Sequence, residues 1–330
     1  TSPDGIHWHR HGAVSDHFHD THNHLLYDPS IRRYVAYVRT HDRGRTVGRL
    51  EVEDPMDTPW VPLERDGGSP ADHFTTVLMS DGNDPANSDL YTPAVHRYPW
   101  AQDAYFSFPS PYRHYPSPGQ TEAPYHPDDP RGRSNNTGTI EVQLAVSRDG
   151  VSFSRPDRRP YVRSGRDGAW DEGQVYMGLG LVRKNDEVWM YYNGQSKLHG
   201  MTEQAAAGRA GGIGRLVQRL DGFISADAPY TGGTFTTPLL TFDGARLELN
   251  VDCAGAGQVR VEVRDERGSP LPGYTIGEAI PVDRNHIAAP VRWQERADLG
   301  ELIGRPVRLH FELNACKLYA FQFRNTAGES

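Results

Sequence analysis

The sequence predicts an all-β protein: blades of a partial β-propeller over residues 1–232, then an antiparallel β-sandwich over residues 233–330. Three observations predict it. The chain is rich in turn formers, with 34 Gly and 25 Pro among 330 residues, and 36% of it is hydrophobic, which suits a turn-rich globular protein better than a helical or disordered one. Three segments repeat one layout, a polar and acidic start that runs into an alternating hairpin. After about residue 232 the acidic start disappears, while alternating strands with Gly and Pro turns continue.

The first repeated segment is "HDTHNHLLYDPSIRRYVAYVRT" (19–40). Its polar start leads to a short apolar strand, a turn at Asp28-Pro29-Ser30, and a strand in which Tyr34, Ala36 and Val38 alternate with Val35, Tyr37 and Arg39. The second, "SDLYTPAVHRYPWAQDAYFSFPS" (88–110), opens with Asp89 and Tyr91 and has Ala104 to Phe108 as its second strand. The third, "WDEGQVYMGLGLVRKNDEVWMYYNG" (170–194), opens with Asp171 and Glu172, turns at Lys184-Asn185-Asp186 and continues as Val188 to Tyr192. Between them, "SPDGIHW" (2–8) and "SRDGVSF" (147–153) match as Ser-x-Asp-Gly-x-x-aromatic, with "VEDPMDTPW" (52–60) as a degenerate echo. An Asp-Gly turn with an aromatic beneath it suits a hairpin that closes an outer strand. Four strands per unit, repeated, is the pattern of a propeller. A propeller needs at least four blades, so about two are expected outside this chain.

A formal net charge of -8 with scattered Arg gives no reason to expect nucleic acid or an anionic membrane as partner. No apolar run approaches the roughly 20 residues that span a bilayer, and no signal-type leader opens the chain. It begins inside a motif, so its natural N-terminus is expected to be absent. Cys253 and Cys316 are its two cysteines. They form a disulfide if their Cα atoms come within about 7 Å, and are otherwise two buried thiols.

The "SPDGIHW" and "SRDGVSF" strands, the polar "HDTHN" and "DEGQ" starts and the aromatic middle strands resemble the five-bladed propellers of glycoside hydrolase families 32 and 43 and their bacterial relatives, over residues 1–232. The resemblance implies a C-terminal sandwich and a carbohydrate substrate, possessing furanosidic units such as arabinofuranosyl or fructosyl. It implies a secreted or periplasmic hydrolase that requires no cofactor, with a structural calcium or zinc on the propeller axis as an added option. In the two families the base or nucleophile comes from the first blade, which the blade count places outside this chain.

Glycoside hydrolysis needs two carboxyl groups on opposite sides of the scissile bond, one protonated and one ionised. A propeller supplies them from the starts of its innermost strands, which makes Asp20, Asp89, Asp171 and Glu172 the candidate catalytic residues. Glu172 is the expected proton donor, because the nearby Trp170 can raise its pKa. On a strand only one of Asp171 and Glu172 faces the axis. The alternative for Glu172 is a turn cap or a surface partner of an Arg.

The run "DHFHDTHNH" (16–24) has three readings: residues that grip sugar hydroxyls, a metal site at His19, His22 and His24, or histidines with no role. Sugar recognition favours His, Asn, Arg and aromatics, since each hydroxyl wants a donor and an acceptor while the C–H face stacks on a ring. His22, Asn23, Arg39, Tyr91, Arg113, Gln174 and Tyr176 are therefore candidate substrate-binding residues. "GRAGGIGR" (208–215) reads as a surface loop, "SRPDRRP" (154–160) as a solvated turn, and the Pro- and Gly-rich residues 115–138 as an insertion over the propeller mouth. The rival functions are a non-catalytic carbohydrate-binding propeller and a metal-binding protein. The oligomeric state is left open.

Overall fold

The computed structural model describes residues 1–17, 19–41, 44–63, 70–85, 88–114, 138–200, 208 and 210–325. The chain is all-β, as expected: among the described residues the helical elements are two 3₁₀ turns, Pro70–His73 and Gly300–Leu302. By contacts it divides into two units, Thr1–Val182 with Trp189–Leu216, and Arg183–Val188 with Val217–Ser330.

The first unit opens with β1 (His24–Asp28), β2 (Arg33–His41), β3 (Arg45–Val52) and β4 (Thr75–Leu78), a four-stranded antiparallel meander of the kind that makes a propeller blade. Alternation puts Val35, Tyr37, Val47 and Leu78 on one face, where they bury against Leu90, Val95 and Ala145.

The second segment, expected to be one hairpin, instead feeds two sheets. Its strands are β5 (Ser88–Leu90), β6 (Val95–Arg97), β7 (Tyr105–Ser107) and β8 (Pro111–His114). They are followed by β9 (Gly138–Ile140) and β10 (Ala145–Ser147), and β6, β7 and β10 form a three-stranded sheet. β5 pairs with β8 and β8 with β9, in a larger sheet. Pro93, which has no N–H to give a ladder, and Ala94 at φ 35° mark the point where the chain leaves one sheet for the next.

The larger sheet continues through β11 (Gln174–Met177), β12 (Val182–Lys184), β13 (Glu187–Gln195) and β14 (Gly211–Arg219). β11 and β13 of the third repeated segment pair antiparallel, and Asn185, at φ 57°, sits in the expected turn, which joins β12 to β13. β9 meets β11 in parallel at Ile140 and Gln174. Gly138 makes this assembly possible, because a Cβ there would fall 1.9 Å from the Arg113 carbonyl oxygen. The expected partial propeller is represented by these sheets, and no ring of blades closes among the described residues.

Two expected loops are more ordered than their composition suggests. Residues 211–215 of the glycine-rich run belong to β14, where Arg215 lies 4.2 Å from the Trp189 ring centroid. In the basic run 154–160, Arg155 is buried and pairs with Asp84, while Arg158 reaches Asp81 at 2.7 Å. Buried charges need such partners, which removes the solvated-turn reading for Arg155. The insertion over residues 115–137 lies outside the described residues.

The second unit is built on two long strands, β17 (Arg246–Arg264) and β22 (Arg308–Arg324), paired antiparallel along their length. β15 (Ala226–Ala228) and β16 (Gly233–Thr236) flank β22; β19 (Val282–Asp283) and β20 (Asn285–Pro290) flank β17. A ribbon of β18 (Ala279–Ile280) and β21 (Arg292–Trp293) covers one side. Leu247, Val261, Phe311, Trp293 and Leu302 close the core between them. The register jumps between Cys253 and Gln258, a bulge that bends a long strand. Cys253 and Cys316 face one another at that point and form a disulfide, which decides between the two readings of the pair. Residues 217–232 fall in this unit, where the Arg219 guanidinium holds Asn250 Oδ1 at 2.6 Å and the Val251 carbonyl at 2.8 Å.

Candidate functional site

Asp89 is the centre of the first unit's polar cluster. It sits mid-strand in β5 opposite Tyr112 of β8, and its side chain is 1% exposed. Arg45, which closes the β2–β3 hairpin, donates to Asp89 Oδ2 at 2.7 Å, and His114 Nε2 lies 3.1 Å from the same oxygen. Burial works to raise the Asp89 pKa, but the His114 hydrogen bond and charge, with Arg45, outweigh it and hold the carboxyl below its ordinary 3.8. Its Oδ1 has no hydrogen-bond partner among the described residues.

Aromatic rings wall this carboxylate. The Tyr112 and His114 rings, two apart on one strand face, lie 4.0 Å apart between centroids, and His199 stands 4.7 Å from Tyr112 and 5.1 Å from Tyr91. The Arg45 guanidinium lies 5.3 Å from both the Tyr91 and Tyr112 ring centroids. Tyr176 of β11 donates its hydroxyl to Gln174 Oε1 at 2.6 Å and lies 3.1 Å from His199 Nδ1. Burial, then Arg45, lowers His199 to about 4, so its ring is neutral near pH 7.

Arg39 and Asp20 extend the cluster outward. Arg39, on β2, is 2% exposed; its guanidinium lies 5.7 Å from the Tyr91 centroid and 3.6 Å from Asp20 Oδ2. Asp20, 61% exposed, also acts electrostatically on His199. Asn23 Oδ1 accepts the Arg39 backbone N–H at 3.3 Å, which makes Asn23 a brace for that strand. Buried cations, aromatic faces and one accessible carboxylate suit a polyhydroxylated ligand.

Other expected residues fall elsewhere. Asp171 and Glu172 stand in a turn before β11, not on a strand, so strand alternation does not choose between them. Asp171 accepts the Tyr192 hydroxyl at 2.9 Å, and Glu172 accepts the Gly168 backbone N–H within its own turn. Trp170 stacks on Tyr192, with centroids 5.8 Å apart. Arg113 is exposed while its neighbours Tyr112 and His114 are buried; strand alternation turns it away from the cluster.

His19, His22 and His24 do not converge. His19 Nδ1 contacts the Arg39 carbonyl at 2.7 Å, His24 packs 5.6 Å from the His96 ring, and His22 is exposed. His19 and His24 line an apolar cavity of about 220 Å³ with Ala36, Val38, Trp60 and Phe74. Among the described residues no group of three or more His, Cys, Asp or Glu is placed to hold a metal ion.

Arg45, Tyr112, His114 and His199 were not foreseen. The alternation in "PYRH" carried the signal for two of them, since it puts Tyr112 and His114 on the face opposite Arg113. His199 reaches the cluster through a bridge to Gly138, a pairing that no local pattern announces.

No family model and no curated protein matches the chain. Among solved structures it is similar to a glycoside hydrolase family 43 arabinoxylan arabinofuranohydrolase from Bacillus subtilis in complex with cellotetraose: TM-score 0.23 and 11% identity, covering 92% of this chain and 79% of that one. It is also similar to an exo-beta-1,3-galactanase from Phanerochaete chrysosporium with galactose: TM-score 0.22 and 9% identity, covering 90% and 81%. Similarity at this level assigns neither substrate nor residue roles.

Proposed function

We propose that the chain is a glycoside hydrolase acting on a polysaccharide or oligosaccharide at the Asp20–Arg39–Asp89 cluster. One observation carries the reading: an exposed carboxylate, Asp20, and a buried one, Asp89, belong to a single cluster with arginines and aromatic rings. Asp20 is the carboxylate that substrate reaches, as base or nucleophile. Asp89 fixes Arg45 and His114 beneath it, where they orient sugar hydroxyls. Glu172, in the turn before β11 and outside this cluster, is tested as the proton donor because the sequence sets it beside Trp170; in the structure it accepts the Gly168 N–H. Paired carboxyl groups supply both the proton and the base or nucleophile, so the reaction calls for no cofactor. Furanosidic units are the substrate class, and the disulfide supports a secreted or periplasmic location, where such bonds persist.

The test is release of reducing sugar from arabinans, fructans and acidic polysaccharides. Asp20→Asn and Glu172→Gln are each expected to lower kcat by at least about 100-fold on the responsive substrate. Full activity in either variant removes that residue from the mechanism. A second reading, sugar binding without turnover, is favoured by the engagement of Glu172 in its own turn. It predicts that oligosaccharides bind in calorimetry and are recovered intact.

A further inference from the structure

The second unit carries a polar groove that the proposed hydrolysis does not use. It has a volume of about 450 Å³ and is lined on its polar side by Thr231, Thr234, Gln258, Arg260, Glu312 and Asn314. Strand register builds its floor. Thr234 of β16 lies opposite Glu312 of β22, which lies opposite Arg260 of β17, and the neighbouring row pairs Asn314 with Gln258. Residues two apart share a face, so both rows point one way, while Val259, Val261, Phe311 and Leu313 point into the core.

These side chains are left available. One row further along the same face, Thr236 contacts His310 at 2.8 Å, and Glu262 accepts from Arg264 Nε at 2.7 Å and from the Ile276 N–H at 2.9 Å. In the groove, by contrast, no hydrogen bond or ion pair among the described residues engages the side chains of Thr234, Gln258 or Glu312. Arg260 Nε is buried without a partner, a cost that a bound acceptor relieves. Asn314 donates to the Tyr230 carbonyl, and the Tyr230 residue, 67% exposed, stands on the turn beside Thr231.

We propose that this groove is a second binding site, for an uncharged saccharide. One arginine and one glutamate cancel in formal charge, which selects neither anions nor cations. Two hydroxyls and two amides supply mixed donors and acceptors, the complement of vicinal sugar hydroxyls, and an exposed tyrosine offers a face for sugar C–H groups. The site is separate from the first-unit cluster, so sugar binding here stands whether or not that cluster hydrolyses anything.

The test is affinity electrophoresis of the full chain in gels containing arabinan, arabinoxylan, inulin or, as the anionic arm, polygalacturonate. The chain is expected to be retarded by at least one neutral polysaccharide. The Arg260→Ala, Glu312→Ala double variant is expected to weaken that binding by about tenfold or more. A free monosaccharide that competes at millimolar concentration places recognition on a single sugar unit; no competition places it on the polymer chain. A thermal melt checks folding, and Thr234→Val with Gln258→Ala repeats the test should the first variant melt early. Retardation unchanged in both variants, retardation by polygalacturonate alone, or none on any neutral polymer overturns the proposal.

Discussion

Residues 2–8 and 147–153 carry the same Ser-x-Asp-Gly-x-x-aromatic motif and fold into the same turn, yet one is exposed and the other is built into the core. In the first, Asp4 Oδ1 accepts the N–H groups of Ile6 and His7 at 2.8 Å, and Ser2 Oγ accepts that of Gly5 at 2.8 Å. In the second, Asp149 Oδ1 accepts those of Val151 and Ser152 at 2.8 and 2.7 Å, and Ser147 Oγ accepts that of Gly150 at 3.0 Å. Both glycines are left-handed, at φ 74° and 71°. The Gly5 carbonyl takes its bond from the motif's own Trp8, whereas the Gly150 carbonyl takes the Tyr37 hydroxyl of β2. Trp8 is 73% exposed; Phe153 packs against the core of the first blade. Seven residues thus suffice for the turn, and the strand partner decides its burial.

The largest expected effect separates the two aromatics. Phe153→Ala removes a ring that meets Tyr37 edge-on, with centroids 6.3 Å apart, and is expected to cost about 2–3 kcal/mol in urea unfolding. Trp8→Ala is expected to leave the midpoint where it was. Equal losses would show that Trp8 has a partner in solution, which would break the comparison. Next come the glycines. A Cβ at Gly150 would meet the Tyr37 hydroxyl at 2.7 Å and Tyr105 Cε1 at 3.1 Å, while at Gly5 nothing lies within 4 Å. Gly150→Ala is expected to cost about 2 kcal/mol, from left-handed strain plus crowding. Gly5→Ala strains its own turn and leaves global unfolding unchanged.

The same division between local and distant causes explains what the sequence revealed. The turn before β2, the turn at Asn185 and the two Asp-Gly turns were legible because a few adjacent residues determine them. The splitting of residues 88–110 between two sheets was not, since it depends on which strands β5 and β7 find far along the chain. The candidate site divides in the same way. Asp20 and Asp89 could be named from the polar starts of hairpins, Arg39, Tyr91 and Tyr176 from the residue types that suit a sugar, and these five do gather in one cluster. Arg45 opens β3 in a basic, glycine-bearing stretch of sequence with no distinguishing pattern, and only the approach of β3 to β5 gives it Asp89. Glu172 is expected at the start of a strand because it opens the third repeated segment, but the turn that begins at Asp167 extends past it.

The smallest effect sharpens the comparison most, because it isolates the turn chemistry from packing. Both aspartates are held well below the ordinary carboxylate range, Asp4 first by the His7 ring and then by the His7 and Ile6 N–H groups, Asp149 by the Ser152 and Val151 N–H groups. A folded-state pKa lowered in this way contributes stability that is present above about 3.8, the unfolded value, and is lost as pH falls through the folded value. Acid titration followed by carbon NMR is therefore expected to find both carboxyls ionised below pH 3, in the exposed motif and in the packed one alike. His7→Ala is expected to raise the Asp4 value and leave Asp149 unmoved, since Ser152 replaces His7 in the second motif. A normal Asp4 beside a depressed Asp149 in the parent chain would mean that packing on β2, and not the seven-residue sequence, forms the turn.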